Sequence, residues 1–108
     1  MDYDKLYKLL PEIGAKDYDD KLKELDAQIP FTVEELFDKI PAELEYSDTQ
    51  TMKFTLSKIG KKWYIARYWI YKSPYHRNWE EITMTYFPSP TAKIALYGAY
   101  CFTNKEKK

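Results

Sequence analysis

Hydrophobic positions follow one period in the first third of the chain and another in the middle. From Asp2 to Leu10, Tyr3, Leu6, Leu9 and Leu10 recur at helical spacing, and Pro11 stops the run. After a turn at Gly14, Tyr18, Leu22, Leu25 and Ile29 form a one-sided stripe over Asp17 to Gln28. Asp17, Asp19 and Asp20 stand at its start, where the helix dipole favours negative charge. The sequence Ile-Pro-Phe-Thr-Val-Glu-Glu-Leu-Phe then predicts a third helix start. Thr32 and Glu35 have the spacing of a capping box, while Phe31 and Leu36 fit a hydrophobic staple. Pro41 ends this helix after about two turns.

From Thr49 the period becomes two. Met52, Phe54 and Leu56 alternate with Lys53, Thr55 and Ser57, and Gly60-Lys61 supplies a turn. An aromatic run returns to Tyr71, a loop covers Lys72 to Trp79, and Ile82, Met84 and Tyr86 alternate with Glu81, Thr83 and Thr85. This predicts a three-stranded antiparallel meander over about 50–59, 62–71 and 81–87. The tail after Ser89-Pro90 fits either a strand or a helix. A serine cap, proline at the first helical position and the alanine content favour a helix over about 90–104. The expected fold class is α+β: short N-terminal helices, a three-stranded meander and a C-terminal helix in a single domain, 1–108.

At 108 residues the chain can bury roughly two thirds of its unfolded surface without covalent staples. Cys101 has no second cysteine to pair with, which suits a reducing compartment. The longest apolar run, Ile94 to Phe102, is nine residues, far below the roughly 20 that span a bilayer. The start MDYDKLYKLL lacks the pattern of a targeting segment. The expectation is a cytoplasmic protein with no membrane partner.

The net charge of zero conceals a division. Residues 1–50 hold 14 acidic and 6 basic side chains, residues 51–108 hold 3 and 11. The acidic helical part, 1–45, and the basic sheet-plus-helix part, 49–108, either attract each other within the fold or present charged surfaces to partners.

Candidate chemistry is sparse. His76 is the only histidine, in the 72–79 loop, and Cys101 lies in the most apolar segment, where an inert buried thiol is expected. One Cys and one His do not make a soft-metal site, and Asp17 to Asp20 lacks the glycine and distal glutamate of a calcium loop. Glu34-Glu35 and Glu80-Glu81 are adjacent pairs that a helix or strand points in different directions, and Gly14, Gly60 and Gly98 are scattered singly. No catalytic residue, metal or cofactor is expected, and the chain reads as a non-enzyme.

The run Gly60-Lys-Lys-Trp-Tyr-Ile-Ala-Arg-Tyr-Trp-Ile-Tyr-Lys72 has rings on both faces of one strand. Small Ala66 suits the face that a helix covers, and desolvating Arg67 unpaired would cost several kcal/mol, roughly. The expected outward face therefore carries Trp63, Arg67, Trp69 and Tyr71, with Lys53, Lys58, Lys61, Lys62, Lys72 and Arg77 around it, a Trp/Tyr/Arg surface of the kind that dominates binding hot spots. A protein partner with an acidic surface is the first expectation. Single-stranded nucleic acid, with rings as stacking platforms, is the second, and a homo-oligomer pairing this face with itself the third. The order helix, meander, helix, with the aromatic second strand and the helix opened by FTVEELF, resembles small proteins of phages and other mobile elements. That resemblance implies an effector or inhibitor of host machinery, including bacterial defence systems.

Overall fold

The computed structural model describes residues 2–61, 63–72 and 80–106; Lys62, His76 and Arg77 lie outside them. The architecture is α+β: three short helices, a four-stranded antiparallel sheet and a longer final helix. The first helices are α1 (Tyr3–Lys8), α2 (Tyr18–Ala27) and α3 (Val33–Lys39). The strands are β1 (Glu43–Ser47), β2 (Gln50–Ile59), β3 (Trp63–Lys72) and β4 (Glu80–Ser89), followed by α4 (Ala92–Glu106). Strand order in the sheet is β1-β2-β3-β4.

Local signals explain most of these elements. Asp2 caps α1 by accepting the Lys5 amide at 3.0 Å. Thr32 and Glu35 form both arms of the capping box on α3, each at 3.1 Å. Gly60 turns the β2–β3 hairpin with φ at 67°, a region that side-chain-bearing residues rarely adopt.

Three expectations need correction. The sheet has four strands, not three: ELEYS pairs with β2 as β1, with Leu44 opposite Met52 and Glu43 opposite Lys53. A strand of five residues with only Leu44 half-buried leaves almost no periodic trace. Strand β4 runs on to Ser89, and Pro88 is tolerated because an edge strand has no second neighbour to receive its N–H. Helix α4 accordingly starts later than Pro90, with Thr91 and not Ser89 as its cap. The Thr91 hydroxyl oxygen accepts the Ile94 amide at 3.1 Å and donates its proton to Asp26 at the end of α2, 2.9 Å away. Ser89 accepts the Thr91 amide at 3.2 Å, shaping the strand-to-helix turn.

Helix α4 is the hub. It lies against β2, β3 and β4 and receives α1, α2 and α3 on its other sides. Ile94, Ala95, Leu96 and Ala99 are buried with Ala66 and Tyr68 of β3, with Leu6, Leu25 and Leu36 of the other helices, and with Ile29 and Ile40 just past the ends of α2 and α3. Each large aliphatic side chain buried this way contributes about 1.5–3 kcal/mol. Two phenols tie the layers together: Tyr68 donates to the Pro41 carbonyl at 2.6 Å, and Tyr3 to the Pro88 carbonyl at 2.8 Å.

Gly98 sets how close α4 comes to the sheet. A Cβ at this position would lie 2.7–2.8 Å from Phe87 side-chain atoms. Alanine favours a helix interior over glycine by about 1 kcal/mol, whereas overpacking costs about 1–3 kcal/mol. Gly98→Ala should therefore lower the melting temperature, and Gly98→Ala/Phe87→Leu should lose less than the sum of the two single changes. A rise in melting temperature for Gly98→Ala would contradict this packing.

Burial pushes the Tyr68 phenol up from 10.0 to about 12, and burial does the same to Tyr97, also to about 12. The folded state holds these protons more tightly than the unfolded chain, so their stabilisation is complete below pH 10 and is lost as pH rises from 10 toward 12. Urea midpoints should fall across that window, and Tyr68→Phe should flatten the fall. The same substitution leaves the Pro41 carbonyl without its donor and should cost about 1–2 kcal/mol at neutral pH.

Candidate recognition surface on the open sheet face

Strand parity assigns the two faces. Phe54 and Leu56 of β2, Tyr64, Ala66 and Tyr68 of β3, and Phe87 of β4 pack against the core beneath α4. Their alternates point the other way: Lys53, Thr55, Ser57 and Ile59 on β2, and Trp63, Ile65, Arg67, Trp69 and Tyr71 on β3. Glu43 and Glu45 on β1 stand opposite Lys53 and Thr51. The alanine face is thus the covered one, as the sequence suggests.

A bulge changes the expectation for β4. Thr85 stands opposite Tyr68 while Thr83 stands opposite Trp69, so Met84 is an extra residue without a counterpart. Plain alternation puts Tyr86 with Ile82 and Met84 on the dry side. With the bulge, Tyr86 falls opposite Arg67 on the open face, where it is 60% exposed, and Thr85 turns inward.

One end of the open face is polar and largely self-satisfied. The Arg67 guanidinium donates to Glu81 Oε2 at 2.8 Å and to Thr83 Oγ1 at 2.9 Å, and lies 5.4 Å from the centre of the Trp69 ring. Trp69 meets Tyr71 edge-on at 4.8 Å, and the Lys53 ammonium sits 6.0 Å from the Tyr71 ring. Of the residues proposed for binding from sequence, Lys53 and Tyr71 are exposed and Trp63 and Arg67 half-buried. Trp69 is only 7% exposed. It supports Arg67 and Tyr71 and is not an accessible anchor, contrary to expectation. Its indole Nε1 and the Thr55 hydroxyl are buried without a hydrogen-bond partner.

Of the basic rim, Lys53 is exposed on the open face and Lys61 borders the hollow beside Trp63, while Lys62 and Arg77 lie outside the described residues. Lys58 falls opposite Tyr64 on the α4 side, with its ammonium 5.8 Å from that ring. Arg67 is neutralised by Glu81. Among the described residues the strands of the open face carry Lys53 and Arg67 against Glu43, Glu45 and Glu81, so charges of both signs share it.

The other end is apolar and accessible. A hollow of about 440 Å³ is lined by Ser57, Ile59, Ile65, Arg67, Thr83 and Tyr86. Ile59, 53% exposed, also borders a second hollow of about 500 Å³ with Ile13, Tyr18, Lys61 and Trp63. Ile13, in the α1–α2 connection, is 84% exposed. Ile59, Tyr86 and Ile13 were not legible as site residues. Ile59 reads as the end of a strand, Tyr86 depends on the bulge, and Ile13 reaches Trp63 only through the tertiary fold.

Cys101 is half-buried, and burial raises its thiol above the ordinary value, against thiolate chemistry. Among the described residues no group of His, Cys, Asp and Glu could hold a metal ion. No helix of the described residues is long and apolar enough to cross a membrane. No family model, no curated protein and no solved structure matches the chain.

The buried Thr55 hydroxyl yields a test of this geometry. Thr55→Val removes a desolvated group that has no partner, so stability should hold or rise by about 1 kcal/mol. A loss of that size in chemical denaturation would mean that the hydroxyl is engaged.

Proposed function

We propose that the protein is a non-enzymatic protein-binding module that engages its partner through the open sheet face. The supporting observation is the accessible apolar end of that face, where Ile59, Ile65, Tyr86, Trp63 and Ile13 border two hollows that share Ile59. Exposed apolar area of this kind next to a fixed arginine suits a partner that buries rings and aliphatic groups and places polar atoms over Arg67. The resemblance in layout to small proteins of mobile elements extends the proposal: the partner is a host protein, and the module acts on it as an effector or inhibitor. A nucleic-acid partner is disfavoured by the three carboxylates that share the face with Lys53 and Arg67.

Ile59→Asp/Tyr86→Ala separates these outcomes because neither side chain is in the core. In affinity capture from a bacterial lysate, a specific partner should be retained by the wild type and lost by at least tenfold with the double variant. Retention by both proteins would move the interface elsewhere. Salt-sensitive binding to a single-stranded oligonucleotide, abolished in the same variant, would replace the proposal with nucleic-acid recognition.

A further inference from the structure

The sheet has two free edges, and they are not equivalent. Strand β4 is a poor template for another strand, because Met84 breaks its register and Pro88 has no N–H to donate. Strand β1 is short but open. The Phe54 amide donates to the Ala42 carbonyl at 2.9 Å. In an antiparallel pair with Leu44 opposite Met52, the backbone groups of Ala42 and Leu44 therefore turn toward β2. Those of Glu43 and Glu45 turn outward, to where a fifth strand would lie. Both residues are exposed.

Charge selects what can occupy that edge. Glu34, Glu35, Asp38, Glu43, Glu45 and Asp48 are exposed between the start of α3 and the β1–β2 turn, and Lys39 is the one cation among them. Among the described residues the single ion pair is Arg67–Glu81, so none of these carboxylates has a described cation within salt-bridge distance, and Lys53 is the one cation that stands across the ladder from them, opposite Glu43. A second copy adding through β1 in antiparallel fashion would set glutamates against glutamates, which is unfavourable directly across a sheet. A strand with cations at every second position meets the opposite situation. Its cations fall beside Glu43 and Glu45, and its intervening apolar side chains fall beside half-buried Leu44 on the α4 side.

The geometry points to β1 as a docking edge for an extended, lysine- or arginine-bearing segment of a partner protein, added to the sheet as a fifth strand. Main-chain hydrogen bonds to Glu43 and Glu45 provide the attachment, and the alternating carboxylates provide the selectivity. This edge is distinct from the apolar end of the open face, so each can be tested without the other.

The probes are two synthetic peptides, Thr-Lys-Val-Lys-Val-Lys-Thr and Thr-Glu-Val-Glu-Val-Glu-Thr, added to the full chain while amide hydrogen exchange is followed. With the lysine peptide, exchange at the Glu43 and Glu45 amides should slow by about tenfold or more as they gain acceptors. The glutamate peptide should leave both amides unchanged. Glu43→Gln/Glu45→Gln should weaken the lysine peptide about tenfold, whereas Tyr86→Ala should not affect it. The inference is overturned if the lysine peptide slows no amide of β1 at about 1 mM, if it binds while only other regions are protected, or if the two peptides bind equally.

Discussion

The close seating of α4 on the sheet is the constraint on which the rest of the structure depends. Three short helices of six, ten and seven residues have little independent stability. They hold their shape because α4 offers them a surface, and α4 can do so because it is itself fixed to β3 and β4. Small residues make that possible: Gly98 lies against Phe87, and Ala95 and Ala99 are buried with Ala66. Large side chains then fill the periphery of the contact, with Phe102 near both Tyr68 and Phe87 and Phe31 against Tyr100. The core is thus a narrow aliphatic and alanine centre with an aromatic margin.

Covering one side of the sheet so completely leaves the other without a helix of its own. The chain handles that exposed side unevenly. Around Arg67 it has built a local polar cluster in which guanidinium, carboxylate and hydroxyl satisfy one another beside the indole ring. Around Ile59 and Tyr86 it has not. That contrast, more than the number of aromatic residues, is what gives the surface a direction: a partner finds rigid polar atoms at one end and yielding apolar contact at the other.

Sequence pattern made the larger elements legible and the details of the site much less so. The capping box at Thr32 and Glu35 fixes α3 because both of its hydrogen bonds are local. The face of β3 that meets α4 could be inferred because Ala66 and Arg67 impose opposite requirements on adjacent positions. The failures have a different origin. Strand β1 forms because β2 offers a partner ladder, not because ELEYS has strand-like composition. Thr91 displaces Ser89 as the cap of α4 because Asp26, distant in sequence, accepts its hydroxyl proton. Trp69 is enclosed although its strand position points away from the helices. Each depends on a neighbour that no local window contains.

The extra residue at Met84 has an implication for how such a surface can change. Loss of this one residue would join Thr83, opposite Trp69, directly to Thr85, opposite Tyr68, in a regular ladder, and Tyr86 would stay opposite Arg67 on the outer side. Ironing the kink out with Met84 retained would do the reverse, shifting one end of β4 by a position and driving a solvent-facing ring toward the interior. A single-codon deletion here could therefore spare both faces, whereas a slip of the strand would disturb surface and core at once.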